Sequence, residues 1–258
     1  MLILLSPAKS LDYETPLATK KHSQPRMLER ATELVEVLAP MGPQKLAKMM
    51  GISAPLAEEN AARFLDWSTP FTTDNARPAV LAFNGDVYRG LDATSFSERD
   101  FTHAQKTIRI LSGLYGVLRP LDLMQPYRLE MGSKLKTSAG RDLYQFWGSD
   151  ITDILNKDLA ESPGARAVVN LASNEYFSSV KASELDGTLL SPRFLDGTEG
   201  EEPKVKAFFA KQARGAMAGW IVRNRVSSMS GLRDFDGMGY RYDPARSTRA
   251  EPAFTRVS

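Results

Sequence analysis

Short apolar segments alternate with amphipathic segments along the whole chain, and this alternation restricts the fold more than any other feature of the sequence. Apolar runs bounded by turn residues predict buried strands, and an apolar stripe at helical spacing predicts a helix. The predicted strands are residues 2–5, 79–83, 107–111, 167–171, 188–195 and 204–209, with a closing hairpin of 237–242 and 252–257. The clearest predicted helices are 24–38, 143–159 and 210–226.

The strands follow one another at uneven intervals, which does not suit a regular doubly wound sheet. We therefore expect an irregular α/β or α+β fold, with a mixed sheet and helices around it. No repeat period and no linker-like composition interrupts the 258 residues. The whole chain, 1–258, is accordingly predicted to be a single domain.

The chain has no cysteine and only two histidines, and this removes several classes of chemistry. Thiol nucleophiles, thiol redox sensors, disulfides and iron–sulfur clusters all require cysteine. His22 and His103 stand far apart in the sequence, and neither lies in an HExxH or ExxH motif. We expect no metal site and no cofactor, although a hard cation held by carboxylates stays open.

No apolar run approaches the ~20 residues that a helix needs to cross a bilayer. The N-terminal run Met1–Leu5 has no basic residue before it and meets Ser6 and Pro7 too early for the core of a signal peptide. We therefore expect a cytoplasmic protein with no membrane association. The net charge of +2 is too small to indicate a polyanionic partner, so any such argument depends on local clusters of charge.

Residues 43–66 resemble a helix-hairpin-helix element, which binds nucleic acid without reading its sequence. Gly51, Ile52 and Ser53 separate two helix-compatible runs, and in the motif a Gly-hydrophobic-Gly turn faces its backbone N–H groups to a phosphate. Ser53 stands where the motif has its second glycine. Lys45, Lys48 and Arg63 are the cations available for additional phosphate contacts. The alternative is an ordinary pair of antiparallel helices.

The segment 204–225 holds six cations and no acid. On a helical wheel Lys211, Arg214 and Arg225 lie opposite an apolar stripe, which predicts an anion-binding face. Small residues and Val222 share the cationic side, so this side of the helix is predicted to form a smooth groove that another group approaches closely. The alternative is a charged face that is simply solvated.

Polar residues follow two of the predicted strands at the point where each strand ends. Ser6 to Lys9 come after the first strand, and Ser173 to Glu175 come after the strand at 167–171, in a helix start that leads towards Lys181. The carboxyl ends of strands in α/β sheets are common places for ligands. Helix capping alone is the alternative at each junction.

The segment 111–132 is rich in glycine and proline and carries several polar side chains. Rigid, irregular segments of this kind often hold functional sites. The polar residues are Arg119, Asp122, Gln125, Tyr127, Arg128 and Glu130. The alternative is that Arg119 pairs with Asp122 and Arg128 with Glu130 for structural reasons. No P-loop, GxGxxG or GxSxG motif occurs in the chain.

Several long motifs in a fixed order resemble those of the YaaA family, the bacterial peroxide-stress-resistance proteins. The motifs are SPAKSLD at 6–12, FNGDVY at 83–88, the segment 111–132, LYQFWG at 143–148, NLAS at 170–173 with EYF at 175–177, and A-R-G at 213–215. The resemblance extends from Met1 to at least Arg225.

The resemblance implies a cytoplasmic protein of unusual α/β fold that is linked to oxidative stress, DNA repair and limitation of free iron. It also implies binding of duplex, junction or bubble DNA through a positively charged cleft and the helix-hairpin-helix element. The cations assigned to the cleft are Lys9, Arg119, Arg128, Lys181, Lys211, Arg214 and Arg225. We expect a monomer whose partners are DNA and, as a further class, DNA-repair proteins.

The resemblance brings with it no established catalytic activity, so a binding protein is favoured over an enzyme. The alternative is an enzyme that acts on a phosphorylated or nucleotide substrate in the basic cleft. Its candidate catalytic residues are Glu130, Glu175, Tyr127 and Asn170, because a site that only binds phosphate has little use for carboxylates. A protein-interaction module is a third and weaker alternative.

Overall fold

The computed structural model describes residues 1–198, 200 and 202–257 of the chain. The strands are β1 (Leu2–Leu5), β2 (Ser10–Leu11), β3 (Arg77–Pro78), β4 (Phe83–Asn84), β5 (Ile108–Ser112), β6 (Gly116–Leu118), β7 (Leu123–Met124), β8 (Ala167–Asn170), β9 (Thr188–Leu190), β10 (Arg193–Gly197), β11 (Arg241–Asp243) and β12 (Ala253–Val257). The helices are α1 (Leu28–Leu38), α2 (Gly42–Met50), α3 (Ala54–Asp66), α4 (Ala79–Ala82), α5 (Asp86–Leu91), α6 (Glu98–Thr107), α7 (Leu143–Trp147), α8 (Asp150–Glu161), α9 (Asn174–Phe177) and α10 (Ala207–Asn224). Short 3₁₀ turns connect several of them.

A five-stranded sheet in the order β6-β5-β1-β8-β9 lies at the centre. β1 pairs in parallel with β5 on one side and with β8 on the other, with Ile3 opposite Ile108 and Val169. All four residues of β1 are fully buried, which explains why this strand is a continuous apolar run rather than an alternating one. The mixed α/β class predicted from the sequence is confirmed.

A second sheet, in the order β10-β12-β11, is built from the last third of the chain. The predicted closing hairpin corresponds to β11, which pairs antiparallel with β12. The single strand predicted for 188–195 is wrong, because it is two strands that belong to different sheets. Pro192 lies between β9 and β10 and cannot donate a ladder hydrogen bond, which accounts for the break.

Two other predicted strands are helical. Residues 79–82 form α4, all four of them buried, and only the final residue of the predicted strand at 79–83, Phe83, begins β4. A short run that is apolar on every side does not distinguish a strand from a buried helix. The predicted strand at 204–209 is also wrong, because Lys204 makes only an isolated bridge to Asp196 and α10 begins at Ala207.

The predicted helices exist, with different bounds. The long helix predicted for 143–159 is divided into α7 and α8 at Gly148, whose φ of 51° lies in the left-handed region. The helix predicted for 24–38 begins four residues later, at Leu28. The prediction for 210–226 corresponds to α10.

Helix α10 packs closely against α5. A Cβ atom built on Gly215 would overlap the carbonyl oxygen of Val87, and one built on Gly90 would overlap the carbonyl oxygen of Gln212. Ala218 and Val222 are fully buried as well. The predicted groove on this side of α10 is therefore filled by another helix. Small residues do permit close approach there, but the partner is α5 of the same chain.

Candidate functional site

A cleft of about 570 Å³ opens beside the carboxyl ends of β1 and β8. Its lining comes from the loop after β1, the start of α5, residues 127–130, the loop after β8, and α10. The lining residues are Ser6, Pro7, Ala8, Lys9, Ser10, Asn84, Gly85, Asp86, Val87, Arg89, Tyr127, Arg128, Leu129, Glu130, Leu171, Ser173, Glu175, Tyr176, Lys211 and Arg214. Five cations and three carboxylates are among them, so the cleft carries a local excess of positive charge.

The sheet topology explains why a cleft forms at this point. After β1 the chain passes to β5 on one side of it, and later returns to β8 on the other side. Such a change of direction between neighbouring parallel strands leaves a crevice outside their carboxyl ends. Ser6 follows β1 and Ser173 follows β8, and the backbone N–H of Ser173 donates to Ser6 Oγ over 2.9 Å. The two predicted junctions thus form one edge of the cleft.

Two of the cleft cations share a carboxylate. Lys9 Nζ lies 2.8 Å from Glu130 Oε1, and the guanidinium of Arg128 lies 3.2 Å from the same oxygen. Lys9 is mostly exposed at the mouth, whereas only 17% of the Arg128 side chain is exposed. The buried Nε of Arg128 has no hydrogen-bond partner. The predicted pairing of Arg128 with Glu130 therefore occurs, but inside the cleft.

The other cations come from α10 and α5. Lys211 and Arg214 of α10 have no carboxylate within ion-pair distance in the part of the chain that the structure describes, whereas Arg89 of α5 pairs with Asp86. Arg214 is half-buried, and desolvation lowers the pKa of its guanidinium. The close packing of α10 on α5 fixes the position of this pair. Lys211 and Arg214 are the two cleft cations most available to an anionic ligand.

Three cations that the sequence assigned to the cleft lie outside it. Arg119 forms an ion pair with the fully buried Asp122, at 2.8 Å. Lys181 donates to Ser149 Oγ and lies 3.5 Å from Glu184, and Arg225 lies 2.7 Å from Asp100. Their placement in the cleft is corrected accordingly: each is held by an acid elsewhere. The cleft combines Lys9, Arg128, Lys211 and Arg214.

Of the four candidate catalytic residues of the enzyme alternative, some line the cleft and others do not. Glu130 and Glu175 line the cleft, and Glu175 Oε1 accepts a hydrogen bond from the backbone N–H of Gly132 at 2.9 Å. Tyr127 also lines the cleft, but its hydroxyl is 2.6 Å from the buried Ser112 Oγ, and burial raises the pKa of this hydroxyl. Asn170 is not a lining residue, and its side-chain oxygen caps the N–H of Ala172.

The hairpin segment lies apart from the cleft lining. Helices α2 and α3 are joined at residues 51–53, where Gly51 adopts a φ of 63° that favours glycine. The N–H groups of Gly51 and Ile52 both donate to the carbonyl of Ala47, so these two amides close α2 rather than facing outwards. Ser53 precedes α3 in an extended conformation. The helix-hairpin-helix assignment stays a prediction.

The cations of the hairpin differ in their surroundings. Lys45 and Lys48 are exposed and, within the described ranges 1–198, 200 and 202–257, have no acidic partner. Arg63 pairs with Glu59 one turn before it on α3 and also contacts Asn60. Only the two lysines are therefore free to meet a phosphate.

Asp86 and Arg89 are cleft residues that the sequence analysis did not assign. Asp86 lies in the FNGDVY motif, and Arg89 follows it by three positions on α5. The motif supports the family resemblance, but nothing in its spacing relates it to α10. Only the packing of α5 against α10 brings these residues to the cleft.

The described residues contain no group of three or more His, Asp or Glu side chains arranged to hold a metal ion. Likewise, no helix in the described ranges is both long and apolar enough to span a membrane.

The comparisons with known proteins cover nearly the whole chain. The model of the family described as "Peroxide stress protein YaaA" matches residues 1–246. A UPF0246 protein of Saccharophagus degradans is 54% identical over 256 residues, which is 99% of each chain. A UPF0246 protein of Cellvibrio japonicus is 52% identical over 256 residues, covering 99% of this chain and 98% of the relative.

Proposed function

Since the chain belongs to the peroxide stress protein YaaA family, we propose that it binds duplex and branched DNA, largely independently of base sequence, and so protects DNA during peroxide stress. The observation that carries the proposal is the pair Lys211 and Arg214. They line a concave, positively charged surface and have no acidic partner among the described residues. Non-specific DNA binding depends on cations of this kind.

A phosphate supplies what the Arg214 guanidinium lacks. A half-buried charge without a counter-ion is costly, and desolvation already lowers the pKa of this group. A bound phosphate oxygen provides both the opposite charge and a hydrogen-bond acceptor. Lys211, being exposed, adds attraction at the mouth of the cleft.

The hairpin provides a second contact in this proposal. Lys45 and Lys48 are exposed on α2 without an acidic partner in the described part of the chain, and their contacts with phosphates are independent of sequence. The Gly51 turn orients the two helices, and its own amides serve the end of α2. The cations, rather than the turn amides, therefore carry the hairpin's contribution.

The composition supports protection by binding rather than by removing peroxide. A chain without cysteine has no thiol with which to reduce peroxide or sense it. In this proposal the protein acts on the molecule that peroxide damages and is linked in that way to DNA repair.

The test compares two double variants in titrations of labelled duplex and branched DNA over a series of salt concentrations. Lys211→Ala/Arg214→Ala should weaken binding to all sequences about equally. It should also flatten the slope of log affinity against log salt by up to ~1.8, about 0.9 for each lost phosphate contact.

The matched control is Arg166→Ala/Lys181→Ala, which changes the net charge equally at two exposed cations outside the cleft. The control should retain most of the affinity and the wild-type slope. Equal losses in both double variants would show that only the net charge matters and would overturn the cleft as the binding site. Absence of DNA binding by the wild-type protein would overturn the proposed function itself.

A second candidate function is an enzyme that acts on a phosphorylated or nucleotide substrate, and Glu130 and Glu175 favour it. Both carboxylates lie in the cleft with the cations, at the carboxyl ends of parallel strands. In that case Lys211 and Arg214 bind the phosphate, and the carboxylates act as general acid and base. The hydroxyl of Tyr127 is engaged by Ser112, and the side-chain oxygen of Asn170 accepts from the N–H of Ala172, so the two glutamates are the stronger candidates for this role.

A further inference from the structure

The size of the cleft is that of a site for one small ligand. Pockets for small molecules enclose ~300–1,000 Å³, and this cleft encloses about 570 Å³. A double helix is too large to enter a space of this size, so a duplex can only lie across the mouth. Whatever fills the interior is a single unit of the DNA or a small molecule.

The chemistry of the lining fits a ligand with two different ends. Lys211 and Arg214 suit an anion, whereas Glu175 suits a hydrogen-bond donor. Glu175 Oε1 already accepts from the N–H of Gly132, and no cation lies within ion-pair distance of this carboxylate among the residues the structure describes. Its second oxygen therefore remains an acceptor. A phosphate alone would be repelled by Glu175, so the ligand also carries donor groups.

A nucleotide has these two ends. Its phosphate is anionic, and the edges of its base carry amino groups of the kind that a carboxylate accepts, as in contacts of Glu or Asp with the N4 amino group of cytosine. The site also lies where nucleotides are commonly bound in α/β sheets, at the point where the strand order changes direction between β1 and β8.

We infer that the cleft takes one nucleotide unstacked from the DNA, with its phosphate at Lys211 and Arg214 and the edge of its base at Glu175. This inference rests on the proposed DNA-binding function and adds to it the unit that enters the site. An unpaired or mismatched nucleotide costs least to extrude, so bubbles and mismatches should be preferred over a matched duplex.

The experiment uses two duplexes that both carry 2-aminopurine and differ only in the opposite base, which is thymine in the matched duplex and a non-pairing base in the mismatched one. The fluorescence of this base rises when it leaves the stack. Saturating protein should raise the fluorescence, and the mismatched DNA should bind about tenfold more tightly than the matched duplex. Both quantities come from the same titration.

Glu175→Gln tests the contact with the base. The glutamine oxygen still accepts from Gly132, so the local hydrogen bond is kept. Loss of a negative charge strengthens the attraction to phosphates, so a fall in the mismatch preference reports the base contact and not the electrostatics. In this variant the ratio of the affinities for mismatched and matched DNA should fall towards one. Glu184→Gln, outside the cleft, is the matched control and should keep it.

A competition with a free nucleoside monophosphate distinguishes the two sources of the nucleotide, which are an unstacked unit of the DNA and a free small molecule. In the bound state the monophosphate should lower the 2-aminopurine signal while the DNA stays bound. DNA binding with neither a fluorescence rise nor a mismatch preference would overturn the single-nucleotide inference and leave the proposed function intact. If the protein binds the monophosphate but no DNA, both the proposed function and the DNA as the source of the nucleotide are wrong.

Discussion

The Oγ atoms of Ser6 and Ser173 lie 3.3 Å apart, although the residues are separated by 167 positions in the chain. Ser6 Oγ donates to Ser173 Oγ and accepts the backbone N–H of Ser173 at 2.9 Å. These two hydrogen bonds connect the loops after β1 and β8 at the cleft. The hydroxyl of Ser6 takes part in both bonds, whereas the hydroxyl of Ser173 takes part in one.

Replacing Ser6 should therefore lower the free energy of unfolding more than replacing Ser173. Ser6→Ala leaves the N–H of Ser173 without its acceptor and should lower the free energy of unfolding by ~1–2 kcal/mol. Ser173→Ala keeps that bond and should cost less than ~1 kcal/mol. Urea denaturation of both variants measures the difference. Equal losses would mean that the two hydroxyls act equivalently.

Gly215→Ala should destabilise the protein by about 3 kcal/mol or more, because the added methyl group would overlap the carbonyl of Val87 where α10 meets α5. Gly51→Ala is a useful comparison. It meets no atom within 4 Å but holds a φ of 63°, so a cost of only ~1 kcal/mol is expected. Thermal unfolding of the two variants checks the order, and a harmless Gly215→Ala would contradict the packing of these helices.

The buried carboxylate of Asp158 should make stability depend on pH. Burial opposes its ionisation, but hydrogen bonds from Arg26 and Arg109 and their charges prevail and hold its pKa below the usual value. Because the folded pKa is the lower one, this stabilisation is complete above the unfolded pKa of ~3.9 and is lost as pH falls through the folded pKa.

Asp158→Asn should remove this dependence. The variant should be less stable by ~3–5 kcal/mol at neutral pH, since it leaves two guanidinium groups without their carboxylate. Its free energy of unfolding should also fall less steeply than that of the wild type below about pH 4. Urea titrations across acidic pH measure both effects, and parallel curves for the two proteins would rule out Asp158 as the source.

Lys45→Ala/Lys48→Ala tests the hairpin's contribution to DNA binding. Both side chains are exposed, so stability should change by less than ~0.5 kcal/mol. The salt slope should flatten by up to ~1.8 if both lysines meet phosphates. Arg63→Ala is the comparison, because Arg63 is already paired with Glu59 and should leave the slope unchanged. A wild-type slope in the double lysine variant would restrict DNA contact to the cleft.

The sequence alone determined the elements whose pattern is local. Strands β1, β5 and β8 were predicted nearly to the residue, because short, mostly apolar runs between turn residues favour buried strands, although the similar run at 79–82 forms a helix. The pairing of Arg119 with Asp122 was also among the alternatives, since three positions in a turn bring these side chains together. The motifs and their order indicated the family.

Only the tertiary structure decided which of the polar residues share a site. Arg225 meets Asp100 from a distant part of the sequence, and α5 covers the side of α10 that carries Gly215. Periodicity shows which side of a helix bears small or charged residues, but the same pattern is compatible with solvent, a ligand or another helix. The difference depends on contacts between residues far apart in the chain, and such contacts leave no signal in local spacing.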